Sequence, residues 1–216
     1  MRGDVILVEE HHARAGKRIV EMLLSKIAAS GGKYAITVAG ESGSGKSETA
    51  TAIANALAKH GIHSVILQQD DYYVHPPKTN DRTRREDPDW LGPMEVRLDV
   101  LDSNVRDVLD GKNEIDKPLV DYDEDRITTE TMPVGDAGVV IAEGTYTTLL
   151  KNADTRIFIT RDYHDTRAHR EKRNRAKSEL DDFTTNILVK EHEIISSHKA
   201  MADIVITSDY DVVENG

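Results

Sequence analysis

The chain has 216 residues, and its 39 Asp and Glu outweigh 28 Lys and Arg to leave a formal charge of -11. One compact domain is expected at this length, and so acidic a chain excludes a general attraction to nucleic-acid backbones or anionic lipid. The absence of cysteine excludes disulfides, thiolate nucleophiles and cysteine-based zinc sites and points to a reducing compartment, so a cytoplasmic location is expected.

Acids interrupt the apolar run at residues 5–8, and no stretch approaches the roughly 18 apolar residues of a membrane span, so neither a signal peptide nor an anchor is expected. Ile19, Met22, Leu23, Ile27 and Ala28 then recur at three- and four-residue spacing, which predicts a packed helix ended by Ser30-Gly31-Gly32. Residues 34–39 read as a buried strand, 46–60 as a helix closed by Gly61, and 64–68 as a second strand. Residues 74–93 hold four of the six prolines among many charges and are read as an irregular loop or lid base, with Trp90 packed against it. Leu98, Leu101, Val105 and Leu109 place a helix over 96–109, and short apolar strands follow at 139–142, 157–159 and 204–207, with helical segments between them.

Strands alternating with helices predict an α/β fold, a parallel sheet covered on both faces, with ligands at the carboxyl ends of its strands. The strongest motif lies at such an end. Gly40-Glu41-Ser42-Gly43-Ser44-Gly45-Lys46-Ser47 fits G-x-x-x-x-G-K-[ST] directly between a predicted strand and a predicted helix. Glycines let backbone N–H groups turn inward around phosphate oxygens, the helix N-terminus adds positive potential, Lys46 reaches the β and γ phosphates, and Ser47 ligates magnesium. The expected ATP contacts are Gly43, Ser44, Gly45, Lys46, Ser47 and Glu48.

Three further groups bear on the chemistry. Gln69-Asp70-Asp71-Tyr72-Tyr73 puts Asp70 at the carboxyl edge of the second strand, where a general base for a substrate hydroxyl belongs and where a carboxylate also reaches a metal. Glu143 ends the strand that begins at Gly138 and is a second candidate magnesium ligand beside Ser47. Residues 161–177 carry seven Lys or Arg against three Asp or Glu, a local charge of +4. Arg167, Arg170 and Arg173 fall there at three-residue steps, able to clamp a transferring phosphoryl group, with Arg173 toward ATP. Nine histidines invite a metal search, but adjacent His11 and His12 point about 100 degrees apart on a helix and are read as a solvated helix start.

The order of phosphate loop, Gln69 to Tyr73, Asp87-Pro88-Asp89, helix, Tyr122-Asp123, Val139 to Gly144, Asp165-Thr166-Arg167 with Arg170, and Ala202 to Ile206 resembles the uridine kinase and phosphoribulokinase family. The likeness runs from about Lys33 to Thr207, which sets residues 1–32 apart as a strand and helix extension before a kinase domain at 33–216. The resemblance implies a P-loop kinase with a mobile, arginine-rich lid that phosphorylates a hydroxyl of a nucleoside or sugar-like substrate with ATP and Mg2+. It implies Asp70 as base with Lys46 and Arg170 catalytic, Glu143 at the magnesium site, and Tyr73, Tyr122 and Arg167 as substrate contacts, with Glu86 and Asp87 in the loop that holds ribose hydroxyls. The chain departs from uridine kinases where Asp123 is followed by Glu124-Asp125-Arg126 without the family's aromatic and His, and where Asp87 replaces the His of His-Pro-Asp.

These departures imply a more polar acceptor. One alternative is a phosphorylated or acidic sugar-type acceptor bound by Arg126 with Arg82, Arg84 and Arg85; another is a nucleotide-binding regulatory protein without a small substrate. The expected partner is a small molecule, with no nucleic acid and no membrane, and the N-terminal helix is a candidate to cover a sheet edge or an interface between copies.

Overall fold

The computed structural model describes residues 6–165 and 182–215. Its central strand β1 (Tyr34–Gly40) is buried along all seven residues, the continuous apolar pattern of a strand covered on both faces. The other sheet strands are β2 (Ser64–Gln68), β5 (Val139–Glu143), β6 (Thr155–Ile159), β7 (Ile204–Ile206) and β8 (Val212–Glu214), in the spatial order β2-β5-β1-β6-β7-β8. The first five are parallel, with Val38 and Gln68 both opposite Glu143, and β8 returns antiparallel along β7. The expected parallel sheet is present, and the antiparallel edge is an addition to it.

Alternation along the strands sorts side chains between two layers. Ile36, Val38, Ile141, Ile157, Ile159, Ile204 and Ile206 face α1 (Glu10–Ala29) and α2 (Lys46–Ala58), which contribute Ile19, Leu23, Ile53 and Leu57 to one cluster. Each fully buried aliphatic side chain there contributes about 1.5–3 kcal/mol relative to exposure. The opposite parity, Ala35, Leu67, Val140 and Ala142, meets Leu101, Val105 and Val108 of α4 (Leu98–Leu109). Ala39, Phe158 and Val205 meet Ile195 at the end of α5 (Asp182–Ile195). The helix assigned by sequence to an extension therefore shares the main core. It approaches α2 so closely that a Cβ on Gly16 would lie 2.7 Å from the backbone carbon of Ala52.

One expectation is corrected, and one unanticipated element is added. Residues 74–93 are not an irregular loop: α3 occupies Pro77–Glu86 and short 3-10 turns follow at Pro88–Trp90 and Pro93–Glu95. The helix begins with Pro at its first position, and its free N–H groups are capped from a distance, since the Asp125 carboxylate accepts from Lys78 N at 2.7 Å, Thr79 N at 3.3 Å and Thr79 Oγ1 at 2.7 Å. Trp90 packs as expected, its Nε1 donating to Asn80 Oδ1 at 2.8 Å. The stretch between α4 and β5 forms a hairpin of β3 (Glu114–Asp121) and β4 (Arg126–Pro133), paired from Glu114 with Pro133 to Asp121 with Arg126. Asp71 anchors it, accepting from Val120 N at 3.0 Å and from the buried Lys117 ammonium at 2.7 Å. The arginine-rich segment read as a lid, with Arg167, Arg170 and Arg173, lies outside the described residues.

Candidate active site

Between β1 and α2 the chain turns through the glycine-rich loop, with Gly43 at φ 80° and Gly45 at φ 93°. Gly45 sits at the N-cap of α2 in the left-handed conformation, so the loop runs straight into the positive end of the helix. A side chain there is excluded twice, by backbone strain and because a Cβ would meet Tyr210 Oη at 2.4 Å. Lys46 bends back over the loop and donates to Glu41 O at 2.9 Å.

Residues distant in sequence converge on the mouth of this loop. The register that places Glu143 beside both Val38 and Gln68 carries its carboxylate to the Ser47 hydroxyl, which donates to Glu143 Oε1 at 2.8 Å. Glu143 is buried, and its pKa is pushed up to about 7 by burial and by the neighbouring Asp70 carboxylate, against the opposing pull of Lys46 and the Ser47 hydrogen bond. Asp70 itself is exposed, in the 3-10 turn Gln69–Tyr72 that follows β2. The backbone that presents Glu143 requires a glycine next: a Cβ on Gly144, at φ 155°, would come within 2.1 Å of Gln69 Cβ. Gln69 in turn accepts from Tyr146 N at 2.7 Å and ties the two strand ends together.

Beyond Asp70 lies a polar wall that sequence reasoning largely missed. Burial first, and then the Asp70 charge, push the Tyr73 hydroxyl pKa up; Glu95 and Tyr146 act in the same direction and Arg84, 6.0 Å from the centre of the Tyr73 ring, acts against it. Glu95 is 1% exposed and holds the Arg84 guanidinium through two hydrogen bonds of 2.8 Å. From α5, Glu191 accepts from Ser42 N at 2.7 Å and Ser42 Oγ at 2.9 Å, while His192 pairs with Glu41 and Tyr163 N donates to Glu41 at 2.8 Å. Thus α5 grips the first turn of the phosphate loop. Nothing in the local sequence marked Glu95, Glu191 or His192, because their roles arise only where separate elements meet.

The remaining predicted residues take other positions. Glu48 is buried, and its charge acts on His12 and Tyr210. Glu86 and Asp87 are exposed at the end of α3, and Asp87 caps the next turn by accepting from Asp89 N at 3.0 Å. Tyr122 is half-exposed, with Lys78 5.6 Å above its ring, and Arg126 is exposed opposite Asp121. His12 is not solvated as expected but 4% exposed. Among the described residues Glu9, His11 and His12 bring ligand atoms within 4.8 Å of one another, yet both ring nitrogens of His12 already serve Glu9 N and Tyr210 Oη.

The donors present fit a nucleotide triphosphate with a divalent cation. Ser44 Oγ is buried inside the loop without a hydrogen-bond partner, and Ser47 Oγ with the Glu143 carboxylate offers the hard oxygen ligands that magnesium takes. A cation between them would keep Glu143 ionised despite its burial. Among the described residues, no helix is long and apolar enough to cross a membrane.

Residues 35–208 match the profile of the phosphoribulokinase and uridine kinase family. A uridine kinase of Ligilactobacillus salivarius is 31% identical over 182 residues, covering 79% of this chain and 83% of that protein. A bifunctional alpha-galactosidase and sucrose kinase of Mediterraneibacter gnavus is 24% identical and covers 84% of this chain but 21% of that larger protein. In fold, D-glycerate 3-kinase of Cryptococcus neoformans superposes with a TM-score of 0.67 at 12% identity, covering 93% of this chain and 99% of that one.

Proposed function

Since the chain belongs to the phosphoribulokinase and uridine kinase family and is a phosphotransferase with a hydroxyl acceptor, we propose that it moves the γ-phosphoryl group of ATP to a hydroxyl of an uncharged, polar nucleoside- or sugar-like substrate. The observation that carries this reading is the Ser47–Glu143 hydrogen bond at the mouth of the phosphate loop, with Asp70 close enough to raise the Glu143 pKa. Magnesium held by Ser47 and Glu143, with Asp70 beside them, would supply charge neutralisation for the phosphates. The chain's own part is positional and electrostatic. Loop amides and Lys46 hold the phosphates, Asp70 accepts the proton of the attacking hydroxyl, and Tyr73 orients that hydroxyl at the polar wall. Arg167 and Arg170 are assigned to the transferring phosphoryl group and Arg173 to ATP, and Tyr122, Arg126, Glu86 and Asp87 to the outer acceptor side.

The choice of an uncharged acceptor follows from electrostatics. Arg84 is the best-placed cation for an acidic acceptor, but Glu95 holds its Nε–Nη2 edge through both carboxylate oxygens, and Glu191 adds negative charge beside it. A phosphate or carboxylate brought there would meet net repulsion. Arg82 and Arg85 are likewise engaged, with Thr79 and Asp81. An ADP-release assay with Mg2+ and ATP against nucleosides, pentoses, sugar phosphates and glycerate tests the reading, with Asp70→Asn as the comparison. Stimulation by an uncharged acceptor, reduced at least roughly 100-fold in Asp70→Asn, is expected. Full turnover in that variant would remove Asp70 from the chemistry, and stimulation by sugar phosphates alone would overturn the acceptor class.

A further inference from the structure

The phosphate loop is braced from behind by two residues outside the matched family segment. Tyr210 lies in the turn between β7 and β8, is 5% exposed, and takes a left-handed backbone at φ 63° that costs a residue with a side chain of order 1 kcal/mol. That conformation delivers its hydroxyl to Ser44 O at 3.1 Å, to His12 Nε2 at 3.0 Å and to Arg161 Nη1 at 3.0 Å. The direction of each bond follows by elimination. Glu9 N donates to His12 Nδ1 at 3.1 Å, so the neutral ring carries its proton on Nε2 and donates to Tyr210 Oη. Arg161 can only donate. The single hydroxyl proton of Tyr210 is therefore left for the Ser44 carbonyl.

The consequence is geometric. In a planar trans peptide the C=O and the following N–H point in opposite directions. Holding Ser44 O outward against Tyr210 turns the Gly45 N–H the other way, toward the phosphate side of the loop. A Cβ on Gly45 would collide with the same hydroxyl and with His12 Nε2, so only a residue without a side chain fits between them and the loop. The tilted His11 ring, with its centroid 4.2 Å away, and the Arg161 guanidinium, 5.2 Å over the ring, fix the ring of Tyr210.

We infer that Tyr210, oriented by His12 of the N-terminal helix, is a positioning residue that presets the Ser44–Gly45 peptide for binding nucleotide phosphate. The inference rests on the proposed reading of the loop as an ATP site. It also gives the N-terminal helix a part in the reaction: the helix supplies the outer end of a hydrogen-bond chain that runs from Glu9 N through His12 and Tyr210 to the loop.

The test is direct binding of a fluorescent ATP analogue and steady-state kinetics on the full chain, with Lys46→Ala as a control for the loop itself. Tyr210→Phe keeps the ring contacts and removes the hydroxyl; its ATP affinity should fall about tenfold, with the acceptor KM unchanged. His12→Gln, whose amide can still donate to Tyr210, should retain most of the affinity that His12→Leu loses. Wild-type affinity in Tyr210→Phe overturns the inference, as does a lowered melting temperature with unaltered ATP affinity. If Tyr210→Phe does not fold, equal affinities in the two His12 variants overturn it. Failure of the wild type to bind the nucleotide, or full binding by Lys46→Ala, counts instead against the ATP-site reading.

Discussion

Acidification provides a measurement of the His12 environment that needs no substrate. The ring is almost fully buried, and its pKa is lowered from 6.5 to about 4 by burial first and by His11 and Arg161, while Glu48 and Glu9 partly oppose the shift. The unfolded chain binds a proton at this residue below pH 6.5, whereas the folded chain resists doing so until about pH 4. Between those values the unfolded state holds more protons, so stability present above pH 6.5 is lost as the pH falls toward 4. From pH 7 to pH 5 the loss from this one group is about 2 kcal/mol. Urea unfolding at both pH values, in the wild type and in His12→Gln, isolates it because all other titrating groups are common to the pair. The wild type should lose about 2 kcal/mol more than the variant over the interval. Parallel losses would show that the buried neutral imidazole, and the donor assignment built on it, are wrong.

Two further perturbations test the packing that supports the site. Gly16→Ala inserts a methyl 2.7 Å from the Ala52 backbone; although alanine ordinarily favours a helix by about 1 kcal/mol, overpacking should dominate and lower stability by roughly 1–3 kcal/mol in thermal unfolding. A stabilised Gly16→Ala would mean that α1 is free to move away from α2. Lys117→Met removes the ammonium that sits 2.7 Å from Asp71 and 2.9 Å from Glu130, and should destabilise the chain by about 3–5 kcal/mol, with part of the loss recovered when Asp71→Asn is added. No recovery in the double variant would show that the charge on Asp71 is not the cause.

Much of the candidate site is legible along the chain because its signals are local. The phosphate loop joins a strand to a helix within eight residues, Glu143 closes one apolar strand and Asp70 lies in the turn just after another, positions that periodicity and strand-end rules identify without tertiary contacts. The hairpin of β3 and β4 escaped because its partly buried strand puts Lys117 at an inward position and its partner strand alternates Thr, Glu and Met, so no apolar alternation announces it. The helix α3 escaped because it has no apolar face, and the carboxylate that caps it comes from Asp125, more than forty residues away. His12 was misread for a related reason. Adjacent histidines on a helix do diverge, but one of them was free to enter a space closed by Tyr210, almost two hundred residues later.

Sequence alone thus determined the parallel strands, the helices α1, α2 and α4, the phosphate loop and the acids near the strand ends, since each follows from residues within one or two turns of one another. Tertiary structure decided which charges remain available. Glu95 neutralises Arg84, Lys117 is enclosed with Asp71, and Glu191, Tyr210 and His12 grip the phosphate loop from α5, the β7–β8 turn and α1. Whether a charge faces a ligand or a buried partner depends on distance in space, and only packing of the sheet and its helices sets those distances.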